Sequence, residues 1–163
     1  MVEDDTGENS SDAWRAALSA SRLLSRSLPE LRANSAKTLE EMREGLKSIH
    51  DRAHVLTILG CVNSSFTVDL LQDLVTVALS HRDALSVRQL LGRISYQDAN
   101  EIVPRAVWHQ LDETDDDDAY RRMAELLAFL GLKEALRDLC RRAKESGDEG
   151  VREVAIDFEN CAE

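Results

Sequence analysis

Proline and glycine are scarce in this 163-residue chain, which holds two of the first and seven of the second. An all-β protein of this length would need many tight turns, and such turns draw on both residues, so the shortage argues for helices. Aromatic residues make up only 4 %, so a core has to be built from Leu, Val, Ile and Ala. The three cysteines, Cys61, Cys140 and Cys161, are an odd count at wide spacing without a CxxC. That supports neither a zinc knuckle nor a disulfide framework and fits a reducing cytoplasm. Cys61 and Cys140 lie in apolar stretches and are expected as small core residues, Cys161 as an exposed one. Positive charge is also short, with 20 Lys and Arg against 31 Asp and Glu, a net −11. Phosphate would be repelled, so neither nucleic acid nor an anionic membrane is an expected partner. The most apolar window, Val55 to Leu79, is interrupted by Asn63-Ser64-Ser65, Asp69 and Asp73, which excludes a membrane span there. The opening MVEDDTGENSSD has neither the basic start nor the apolar run of a secretory signal. No Gly-rich phosphate loop or nucleophile elbow occurs, no cofactor is expected, and an enzyme is not the favoured class.

What remains is helical periodicity. Leu39, Met42, Leu46, Ile49, Ala53 and Leu56 alternate steps of three and four without a proline, predicting one long helix over about 35–62 with a seam to bury. Beyond residue 55 this helix is apolar on nearly every face, as in the core of a bundle. Asp12 or Ser11 suits the start of a first helix, and Leu28-Pro29 predicts its end. Downstream, Thr67 is expected to open a helix to about Ser80, Asp83 a short one, and Ser95 with Asp98 a capping-box-like start. Pro104 suits the first position of a further helix. Gly131 and Gly147 mark helix ends, and Asp148 the start of the last helix. The fold class is all-α: an irregular bundle or stacked helical hairpins, about eight helices in all. Residues 1–11 are expected as a disordered acidic tail, 12–62 as an N-terminal helical hairpin, and 65–163 as a helical domain packed on it. Arg outnumbers Lys about four to one, which reads as codon bias without a mechanism.

Two stretches, Asp83-Ala84-Leu85-Ser86-Val87-Arg88 and Asp148-Glu149-Gly150-Val151-Arg152, resemble HEAT-type helical repeats, in which a turn with Asp precedes a helix beginning Val-Arg. The resemblance implies that the Asp and Arg fix the turn while the Val enters the core between repeats. The two Val-Arg pairs stand 64 residues apart with no clean copy midway, where a solenoid would show a regular period.

Candidate functional residues follow from charge and spacing. Arg15, Arg22 and Arg26 recur at steps of seven and four, a basic stripe able to dock on an acidic protein surface. Trp14 and Trp108 belong to the residue type enriched in interface anchors. Asp115, Asp116 and Asp117 lie in the acidic run before the helix at Ala119, where carboxylates also complement a helix dipole. His50 and His54, four apart in His-Asp-Arg-Ala-His, would share a helix face and could hold a metal. The pattern resembles the zincin HExxH but carries Asp51 where the general base would be Glu. The leading expectation is a non-enzymatic cytoplasmic scaffold or adaptor, or an acidic regulator covering a basic site, with another protein as partner. A metal-dependent hydrolase or sensor at His50 and His54 is one alternative; a homodimer formed through the Leu39 to Leu56 seam is another.

Overall fold

The computed structural model describes residues 6–112, 114 and 116–161, and every regular element among them is helical. There are ten α-helices and a short 3-10 turn among the described residues, against the eight or so expected. The chain falls into two compact units, residues 1–38 and 39–163, so the helices expected together over 12–62 are divided between them.

The first unit is built on α1 (Thr6–Ala33). Of the expected disordered tail, residues 1–5 lie outside the described residues, while 6–11 are already helical. No proline intervenes before residue 29, and extending a helix costs far less than starting one. The break expected at Leu28-Pro29 does not occur, because α1 continues through Pro29 to Ala33. Proline removes the N–H that would reach the Ser25 carbonyl, but Ser25 and Pro29 are exposed and the helix ends within a turn, so the missing bond lies where solvent has access. At the following turn Thr38 N donates to Asn34 O at 3.0 Å, and Thr38 Oγ1 to Leu31 O at 3.0 Å.

The expectation of one helix over 35–62 is corrected, the first turn of α2 lying in the first unit and the rest in the second. There are two, α2 (Ser35–Lys47) and α3 (Arg52–Leu59), separated by a turn. Ser48 and Asp51 make this turn: Asp51 N donates to Ser48 Oγ, and Ser48 Oγ to the Asp51 carboxylate at 2.8 Å. The reversal is tight enough that a Cβ on Gly45 would stand 2.6 Å from Val55 Cγ2. Only a residue without a side chain permits that approach. The proposed seam is therefore bent. Met42, Leu46 and Leu56 go into the core of the chain, while Ile49 sits in the turn 71 % exposed. Cys61, expected in the core, is exposed just past the end of α3.

Next come α4 (Ser64–Asp69), α5 (Leu71–Val77) and α6 (Ala84–Leu91). Thr67 does not open a helix but lies buried inside α4, and the helix expected to Ser80 breaks at Leu70. Then α7 (Tyr96–Asp112) runs through Pro104 rather than starting there. Its start is the Ser95–Asp98 box, with Ser95 Oγ donating to the Asp98 carboxylate at 2.6 Å. Three further helices close the chain: α8 (Asp117–Phe129), α9 (Lys133–Lys144) and α10 (Glu149–Phe158). They pack mutually, while α5 packs on α7 and α3 on α6. Gly131, at φ +69°, ends α8 in the left-handed conformation expected of it. The core is aliphatic, with Leu74, Val87, Leu91, Val103, Leu127, Leu139 and Val154 fully buried.

Arginine supplies the ties between helices. Arg93 donates to Leu59 O at 2.9 Å and Val62 O at 3.0 Å, closing the end of α3. Arg142 donates to Leu111 O and to Asp112 at the end of α7. Arg152 donates to Ser146 O past the end of α9, and Arg52 Nε to Leu46 O in the last turn of α2. A helix end exposes carbonyls with no partner of their own and carries partial negative charge, so a flat five-donor cation suits it better than an ammonium. The surplus of Arg over Lys thus has a structural use beyond codon bias.

Candidate functional site

A groove of about 480 Å³ lies between α3 and α6. The α3 wall presents Ala53, Thr57 and Gly60, spaced four and three apart along one helix face. Leu56 and Leu90 also line the groove. The α6 wall presents Arg82, Ser86, Gln89 and Arg93. Arg82 has no partner among the described residues and is exposed, whereas Arg93 is held by its two carbonyl contacts.

Asp83 forms one edge of the groove. Although it stands immediately before α6, its carboxylate accepts from no backbone N–H of that helix. It is buried and takes Arg52 Nη1 at 3.4 Å instead. Arg52 therefore joins the end of α2 to the start of α6, and its charge offsets the one anion of the groove. Arg82 and Arg93 are left to dominate, a locally cationic strip on a chain of net −11.

On the far side of α6, Arg88 and Arg122 converge on Glu125, with Arg122 Nη1 at 3.0 Å. Burial is the largest single influence on the Glu125 carboxyl and opposes its ionisation. The hydrogen bonds and charges of the two arginines together outweigh that and hold its pKa below the ordinary glutamate value. This cluster ties α6 to α8. Burial pushes the Cys140 thiol up, away from the reactive thiolate.

The residues singled out by sequence are scattered. Trp14 is on α1, 64 % exposed, with Arg15 paired to Asp12 and Arg22 and Arg26 exposed along the same helix. Trp108 is half-buried on α7. Asp116 caps α8, accepting from Ala119 N at 3.3 Å. Asp117 begins that helix against Gly150, where a Cβ would meet its carboxylate at 2.9 Å. Asp115 lies outside the described residues. His50 is in the turn and His54 on α3, both exposed, so the single unbroken helix that would have presented them together is absent. Among the described residues no three His, Cys, Asp or Glu side chains converge as a metal site would require. No described helix is long and apolar enough to cross a membrane.

Sequence reasoning missed Arg82, Ser86 and Arg93. The one signal available was the Ala53, Thr57, Gly60 row, which means nothing until α6 is known to lie beside α3. No protein-family model, curated protein or solved structure matches this chain.

Proposed function

We propose that this chain is a non-enzymatic helical adaptor whose α3–α6 groove receives an acidic helical segment of another protein. The observation that carries this reading is the groove itself. Two rows of residues at helical spacing line it, a form that suits a helical ligand, and the unpaired Arg82 supplies charge complementarity to an acidic one. Stacked helices with such grooves are also what the HEAT-like stretches imply. Val87 and Val151 are both buried, and Asp148 caps α10 while Arg152 reaches back to Ser146 O. Asp83 and Arg88 act otherwise, reaching across to Arg52 and Glu125.

The test is a photo-crosslinking residue at Ser86, inside the groove, with the chain expressed in its cell of origin. A single discrete adduct is expected. It should vanish when Ala53→Trp fills the groove or Arg82→Glu reverses its charge, and weaken with salt. An adduct indifferent to both changes would overturn the groove as the working surface.

A further inference from the structure

We propose that two copies of this chain pair antiparallel along α1. Because α1 runs unbroken past Pro29, six residues fall on one rod in alternating steps of three and four: Trp14, Ala17, Ser21, Leu24, Leu28 and Leu31. Such a series makes a single seam. Among the described residues of the first unit, α1 is the only complete helix, so no second helix described there covers the seam. Trp14 stands 64 % exposed, and Leu24, Leu28 and Leu31 are only half-buried. A solitary helix with an uncovered apolar stripe is marginal in water.

Charge and size identify what covers it. The positions flanking the seam are Ala13, Leu18, Ala20, Ser25, Ser27 and Arg32, with a single charge among them. Arg15, Arg22, Arg26 and Pro29 fall on the outward positions. On a chain of net −11, this is a face that a second copy can approach without opposing like charges. The flanking hydroxyls are already satisfied, with Ser25 Oγ donating to Ser21 O at 2.9 Å and Ser27 Oγ to Leu23 O at 3.2 Å. Covering them strands no donor.

Size then sets direction. Parallel pairing would stack Ala17 on Ala17 and Ser21 on Ser21, leaving voids. Antiparallel pairing about a two-fold axis between residues 22 and 23 sets Trp14 against Leu31, Ala17 against Leu28 and Ser21 against Leu24. Each small residue then meets a leucine, which close packing favours. The helix dipoles oppose one another, and the two-fold interface closes on itself, so association stops at two. The seam spans 14–31, about 26 Å at 1.5 Å per residue.

Light scattering of the full chain over the micromolar range is expected to give twice the chain mass. Leu24→Glu with Leu28→Glu should return it to one chain, with the helical circular dichroism of residues 39–163 retained. Leu23→Glu, on the outward face at 67 % exposure, should leave the dimer intact. Spin labels at Arg15→Cys or Arg22→Cys, with Cys61 and Cys161 replaced by Ser, read the direction. Label pairs at 22 should be close, and those at 15 displaced by about 22 Å along the axis. A monomer throughout, a Leu23→Glu variant that also dissociates, or equally short distances at both positions would overturn the proposal. None of these outcomes bears on the α3–α6 groove, whose test reads a different surface.

Discussion

The helices of residues 35–91 and those of 96–158 are built from the same aliphatic residues, yet they start and stop by different means. In the later stretch most helix starts carry their own side-chain cap, although α9 begins without one and Arg142 and Arg152 reach the ends of α7 and α9. Ser95 with Asp98, Asp116 and Asp148 each meet a backbone N–H at a helix start, and Gly131 turns the chain at an end. In the earlier stretch Asp51, Asn63, Leu70 and Asp83 stand at helix starts without one side-chain cap bond among them. Beside the local Ser48–Asp51 turn, those boundaries rest on Arg93 at the end of α3, Arg52 at the end of α2, and the contact of Gly45 with Val55. Two stretches of one chain can therefore be equally helical while one leans more on side-chain caps at its helix starts and the other more on partners brought to it by packing.

Substitutions separate the two modes. Arg93→Met should have the largest effect, because it leaves the Leu59 and Val62 carbonyls without their charged donor. A loss of about 3 kcal/mol is expected in urea unfolding, with α3 amides exchanging early. Gly45→Ala should come next, at about 2 kcal/mol, since Val55 is branched at the contact and cannot easily move aside. Asp148→Ala removes only a local cap and should cost about 1 kcal/mol, confined to α10. If Asp148→Ala proved costlier than Arg93→Met, the contrast between the halves would fail.

The smallest effect concerns acid. Because the folded pKa of Glu125 is depressed, its contribution is full above the unfolded glutamate value and is lost as pH falls through the folded one. Glu125→Gln should therefore flatten the acid limb of the stability profile below about pH 4.3 while leaving the neutral side level. A variant that kept the full acid dependence would show that other carboxylates set that limb.

Legibility followed the same line. Apolar periodicity at 119–130 and 133–146, ended by Gly131 and Gly147, could be read to within a residue or two at the starts of α8 and α9. The stretch 35–62 could not, because its heptad spacing continues through Ser48 to Asp51 as if nothing happened there. What breaks it is a turn of Ser48 and Asp51, residue types that favour caps but whose apolar neighbours keep the heptad spacing, together with a guanidinium from the same reversal. Pro29 and Pro104 misled in the opposite sense, each tolerated inside a helix. As for the groove, its two walls are about 30 residues apart in sequence, and neither wall carries a motif.

Composition and spacing by themselves determined that this protein is helical, that its core is aliphatic, and that helices start at Ser95 and Asp148. Those outcomes rest on forces acting within a turn or two. Which helices lie side by side, where α2 gives way to α3, and which arginines become ties were decided only on folding. A carbonyl at a helix end has no partner within its own helix, and only the packed chain brings one to it.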